Sequence, residues 1–148
     1  MRAAPDPAVT RLRTLAPFVG CTELELRFIA RRSSLHRASP GAILTREGIT
    51  GNEFGVILEG VAVVRQGNVE VARLGRGDVF GEISVLDHGA RTATVLAATE
   101  LVAVVCHERE FREIIEECPT VAHRLLVGMA QRVRSIRPDS TPRPASTG

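Results

Sequence analysis

Residues 54–75 read Phe-Gly-Val-Ile-Leu-Glu-Gly-Val-Ala-Val-Val-Arg-Gln-Gly-Asn-Val-Glu-Val-Ala-Arg-Leu-Gly. Three short β-rich runs (Phe54–Leu58, Val61–Val64 and Val69–Leu74) are parted by Gly60 and by Gly67-Asn68, and Gly75 closes the last. Working outward, the same pattern recurs in Ala42–Leu44, Thr92–Ala97 and Leu101–Val105, with turn signals at Pro40-Gly41, Gly48, Gly51 and Gly77. Many short strands at this spacing predict an antiparallel sandwich or barrel, over about residues 34–105. Alternation is imperfect in Val61-Ala62-Val63-Val64, so the inward face of that run is not fixed by pattern alone.

Helical periodicity flanks this block. Pro7 suits the first turn of a short helix carrying Val9, Leu12, Leu15 and Ala16. Thr22 and Glu25 form a Thr-x-x-Glu capping box. It predicts a helix through about Arg32 that buries Leu26, Ile29 and Ala30. After Cys106, the residues Phe111, Ile114 and Ile115 share one face of a helix that ends before Pro119. A second helix is expected from about Thr120 to Ile136, with Ala122, Leu125, Met129 and Ile136 at heptad-like spacing. Residues 138–148 form a Pro/Ser/Thr tail, expected to be disordered, so residues 1–137 read as one domain.

The chain has 148 residues, a hydrophobic fraction of 44% and an aromatic fraction of 3%, so its core must be aliphatic. A net charge of +2 makes no general case for nucleic acid or membrane partners. All 19 basic residues are Arg, which reads as codon bias. Cys21, Cys106 and Cys118 form no CxxC pair, which argues against zinc, redox motifs and a disulfide framework. With no signal-like or membrane-length apolar run, the expected location is the cytoplasm.

Residues 80–95 carry the chemistry: Phe-Gly-Glu-Ile-Ser-Val-Leu-Asp-His-Gly-Ala-Arg-Thr-Ala-Thr-Val. Gly81 permits close backbone approach to a ligand. If residues 82–86 open a short helix, the N–H groups of Ile83 and Ser84 are free to meet an anion. Arg91 can form a bidentate pair with phosphate oxygens. Glu82 offers a carboxylate to a ribose hydroxyl. A Gly-Glu pair alone reads as a turn, and a single Arg as surface charge. Their occurrence together, ahead of a Thr-Ala-Thr-Val strand, points to a small nucleotide-like ligand.

These residues resemble the cyclic nucleotide-binding domain, the sensor module of catabolite-activator-type regulators, kinase regulatory subunits and cyclic-nucleotide-gated channels. The resemblance runs from about Leu12 to about Arg134. It rests on Pro40-Gly41 with Ile43, on Gly48, Gly51, Phe54, Val56, Ile57, Leu58 and Gly60, on Leu74-Gly75-x-Gly77-Asp78-x-Phe80-Gly81-Glu82, and on Arg91-Thr92-Ala93. It implies an α+β, mainly β fold: an eight-stranded antiparallel jelly-roll barrel with N-terminal helices and two C-terminal helices over about 107–136. It also implies that Arg91 pairs with the cyclic phosphate and that Glu82 accepts from the ribose 2′-hydroxyl. Backbone N–H groups of Gly81, Ile83, Ser84 and Thr92 would line the phosphate, and Gly48, Gly51 and Gly60 would be structural. The expected ligand is cAMP. Thr92 keeps cGMP as the alternative. Arg132, Ser135 and Ile136 are the candidate base contacts.

No helix-turn-helix follows the last helix, so DNA is not the expected partner. Signalling is expected through an unidentified effector protein or a homodimer along the C-terminal helix. Alternatives are a degenerate interaction module that binds no nucleotide, and a truncated DNA-binding regulator. His36, His88, His107 and His123 are scattered and no nucleophile–base arrangement is evident. The expectation is therefore no catalytic residues, no metal and no cofactor.

Overall fold

A computed structural model describes residues 6–48, 52–81 and 93–135. Helix α1 spans Pro7–Arg13, a 3₁₀ turn spans Ala16–Phe18, and α2 spans Glu23–Arg32. Eight strands follow among the described residues: β1 Ser34–Ala38, β2 Ile43–Thr45, β3 Glu53–Glu59, β4 Ala62–Gln66, β5 Val69–Leu74, β6 Val79–Phe80, β7 Thr94–Ala97 and β8 Leu101–His107. Helices α3 (Glu108–Glu117) and α4 (Pro119–Ser135) close the described chain. The strands form two four-stranded antiparallel sheets, β1-β8-β3-β6 and β2-β7-β4-β5, which make the jelly roll expected from the sequence.

Strand β8 shows why the fold has two cores. Leu101 and Ala103 face the barrel interior with Ile57, Phe80, Val95 and Ala97. Val102, Val104 and Cys106 alternate to the other face, where the helices cover them. Phe111, Leu12, Leu26, Ile29 and Val121 complete that outer core. The Phe54 and Phe111 rings meet there, with centroids 4.4 Å apart.

Local signals set the helix ends. Thr22 Oγ1 accepts from Glu25 N at 3.1 Å while Glu25 Oε1 accepts from Thr22 N at 2.8 Å, the reciprocal pair that the sequence predicts. Glu110 Oε1 likewise accepts from His107 N and fixes the entry to α3. Arg32 ties α2 to α3: its guanidinium lies 3.4 Å from the Phe28 ring centroid and 3.7 Å from a Glu113 oxygen.

Several boundaries depart from the sequence reading. Helix α1 stops at Arg13, so Leu15 and Ala16 lie outside it. Pro17, which has no N–H to continue an α-helix, turns the chain into the 3₁₀ segment. Ala30 is only half-buried. The run Ser34–Ala38 was not among the expected strands, yet it forms β1 and pairs with β8 from Ser34↔Val105 to Ala38↔Leu101. It is an edge strand with four of five residues exposed, so it carries no apolar alternation to read. The opposite sheet ends at β5, where Val64 pairs with Ala72 and Arg65 with Glu70, leaving Val71 as an extra, bulged residue.

Gly55 in β3 faces Phe80 of β6, and a Cβ there would sit 2.2 Å from the Phe80 ring. Gly55→Ala should therefore push Phe80 out of the barrel core and cost about 1–3 kcal/mol. Urea denaturation is the check. An unchanged midpoint would mean that the ring has room to move.

Candidate functional site

The site is positioned by the loop before β6. Asp78 Oδ2 accepts from Gly75 N at 2.8 Å and closes the Gly75–Asp78 turn. That turn is bolted to β3, because Gly77 N donates to Ile57 O and Ile57 N donates to Asp78 O. Arg76 extends the anchor in two directions. Its Nη1 donates to Leu58 O at 2.9 Å, and its Nη2 donates to Thr14 Oγ1 beside α1. The two residues of β6 then pair with Val56 and Gly55, and Phe80 is buried.

Gly81 follows directly, with φ +87. An L side chain rarely adopts this conformation, so glycine is required where the chain leaves the sheet. The other end of the cassette is held by the second sheet. Thr45 Oγ1, itself buried, donates to Ala93 O at 3.3 Å, and Thr94 Oγ1 accepts from Glu47 N at 2.9 Å. The segment 82–92 thus connects an anchored edge of one sheet to an anchored strand of the other.

Of the sequence-predicted site residues, Gly81 is described. Glu82, Ile83, Ser84, Arg91 and Thr92 lie outside the described residues, as does His88. Arg132 is exposed on α4, Ser135 is the last residue of that helix, and Ile136 lies outside the described residues. Among the expected structural glycines, Gly48 and Gly60 have positive φ, +81 and +91, and Gly51 lies outside the described residues.

The structure also forms a groove of about 1010 Å³ between the 3₁₀ turn, the Gly77–Val79 stretch and α4. Arg132 lines it together with Gly77, Asp78 and Val79, so this predicted base contact shares a cleft with the loop that leads into the cassette. Pro17, His123, Arg124 and Gln131 line it too. Sequence reasoning did not single out Pro17, Arg124 or Gln131, because the groove joins three segments far apart in the chain. Among the described residues, no group of His, Cys, Asp and Glu could hold a metal ion.

The family model described as "Cyclic nucleotide-binding domain" matches residues 35–118. The chain belongs to that family. A cAMP-dependent protein kinase regulatory subunit from Mycosarcoma maydis is 40% identical over 90 residues, spanning 55% of this chain and 17% of that protein. The cyclic AMP receptor protein of Thermus thermophilus is 36% identical over 64 residues, spanning 43% of this chain and 30% of that protein. The chain therefore spans less than a third of the length of these curated relatives. Among solved structures, the regulatory subunit of a cAMP-independent protein kinase A from Trypanosoma brucei superposes with a TM-score of 0.73 at 28% identity. That match covers 83% of this chain and 44% of the other. Among the described residues, no helix is long and apolar enough to cross a membrane.

The three thiols belong to the scaffold. Burial, helped by Glu110 and Glu53, pushes the Cys106 thiol up to about 12. Burial also raises Cys21 and Cys118 to about 11, with Glu25 adding to both. A thiol whose pKa is raised by folding adds stability below its unfolded value and loses it as pH climbs toward the folded one. Stability should therefore fall between the ordinary thiol value of 9.0 and about 12. Alkylation by iodoacetamide at pH 8 should be slow in the native protein and rapid in urea. Fast native labelling would show that the thiols are open to solvent.

Proposed function

We propose that this domain is a cyclic nucleotide receptor that binds cAMP, with cGMP as the alternative, and that it works by binding, without catalysing a reaction. The observation that carries the reading is the left-handed Gly81, fixed at the end of β6 and followed in sequence by Glu82, Ile83 and Ser84, with Arg91 and Thr92 at the far end of the same segment. Family membership supports it. In this reading Arg91 pairs with the cyclic phosphate. Backbone N–H groups of Gly81, Ile83, Ser84 and Thr92 line that phosphate, and Glu82 accepts from the ribose. Arg132, Ser135 and Ile136 approach the base. Three buried cysteines that form no disulfide support the expected cytoplasmic location.

The signal would leave through the C-terminal helices. Helices α3 and α4 break at Cys118-Pro119, where proline disfavours the α conformation for Cys118. The first half of α4 is seated by Val121 and Leu125, both buried against the outer core. Its second half is largely exposed, including Val133, and Leu126 just before it is exposed too. A ligand that contacts this half in only one of two positions shifts the equilibrium between them.

The same helix offers a seam for a homodimer. Ala122, Leu126, Met129 and Val133 recur at heptad spacing. Leu126 and Val133 are open to solvent, whereas Leu125, one of the heptad-spaced residues expected from the sequence, turns into the core.

Isothermal calorimetry tests the receptor reading. Arg91→Ala should weaken cAMP binding by about 2–5 kcal/mol, and equal affinity of wild type and variant would remove the phosphate role. Neither nucleotide binding nor raising the melting temperature would favour the interaction module instead. Replacing Leu126 and Val133 together with Glu should leave a monomer in sedimentation velocity. A dimer that survives this change is not held by the seam.

A further inference from the structure

The groove beside α4 has two properties beyond the base contact proposed for Arg132. The first is Gly128, in the middle of a helix, where glycine is unfavourable. Among the described residues, nothing lies within 4 Å of the place where its Cβ would be. Among the described residues, no packing requires the missing side chain. The gap opens on the groove, where it allows a second backbone to approach α4 closely. The second property is charge. Arg124, Arg132 and His123 line the groove, and Asp78 is the one carboxylate among the described lining residues. That carboxylate is already engaged, because Asp78 Oδ2 accepts from Gly75 N. Arg124 is held in place by donating from Nε to Val19 O. Pro17, Val79 and Val127 supply an apolar floor. A volume of about 1010 Å³ lies at the upper end for a small-molecule site and suits a longer occupant.

We propose that this groove docks an amphipathic helix from a partner protein, its apolar face seated over Gly128 and its flanking Asp and Glu residues set against Arg124 and His123. The carboxylates complement the rim, and the absent side chain lets the two helices cross in close contact. The groove gives the receptor an output surface on the side of α4 that leads toward the cassette. The proposal extends the receptor reading but is tested without nucleotide, so either can fail alone.

The probe is a fluorescein-labelled peptide of about 16 residues built from Glu, Ala and Leu, with Leu at helical spacing; a twin carries Lys in place of Glu. Fluorescence anisotropy on the whole chain should give saturable binding of the Glu peptide, weakened by added salt, and none of the Lys peptide. Gly128→Leu, which fills the gap, should cut that affinity at least about tenfold. Since leucine favours helix more than glycine does, this variant should keep its far-ultraviolet circular dichroism and its melting temperature. His123→Glu with Gln131→Glu, which reverses the rim on exposed positions, should weaken binding similarly. The proposal is overturned if the Glu peptide does not bind, if both peptides bind alike, or if Gly128→Leu leaves affinity unchanged. It is also overturned if Gly128→Leu turns a dimer into a monomer, since a second copy of the chain would then be the occupant.

Discussion

Strands β3 and β8 pair along nearly their whole length, and each is buried on both faces. The two hydrophobic clusters of the described residues lie on the two sides of this ladder. On the inner side, Ile57, Leu101 and Ala103 meet Phe80, Val95 and Ala97 and close the barrel. On the outer side, Phe54, Val56, Val102 and Val104 receive the helices at both ends of the chain. A sheet exposed on one face would need alternating polar residues. Here the strand sequences are almost continuously apolar, Phe-Gly-Val-Ile-Leu and Leu-Val-Ala-Val-Val-Cys, because there is no solvent face.

The ladder also reaches the chain that leads into the candidate cassette. β6 is only two residues long and would not hold a loop by itself. It gains its hold from Gly55, which makes room for the Phe80 ring, and from the Gly75–Asp78 turn fastened to Ile57. Arg76 carries this further. Its planar fork reaches a β3 carbonyl and the end of α1 at once, so the N-terminal helix and the approach to the cassette share one anchor. An ammonium, with no fixed fork, would not impose that geometry.

The sequence carried much of this openly, and the reasons are local. The Thr22/Glu25 box starts α2 because both partners lie within four consecutive residues. Glycine turns marked most barrel strands because each lies beside the strand it ends. β1 escaped, since Ser-Leu-His-Arg-Ala is a solvated edge whose only reason to be extended is the ladder of β8. Leu125 and Leu126 are neighbours of equal hydropathy, so periodicity could not say which faces the core; packing against the outer cluster decides for Leu125. Gly81 was legible as a glycine that the backbone needs where the chain leaves β6, and its positive φ gives the physical cause. The residues 82–92 around it rest on sequence and family membership. The groove had no signature in one dimension, because Pro17, Asp78 and Arg124 are joined only by folding.

The far margin of the second sheet shows how such a module can live among many extended chains. β5 exposes Val69 and Val71 along a margin that, among the described residues, pairs with no further strand, the kind of surface on which foreign strands add and fibres grow. The surplus Val71 breaks the rhythm of N–H and C=O groups there, and the Glu70–Arg73 pair sets charge on the rim. An incoming strand would find its hydrogen bonds out of step after two or three residues. The irregular margin thus makes a poor template for a foreign strand.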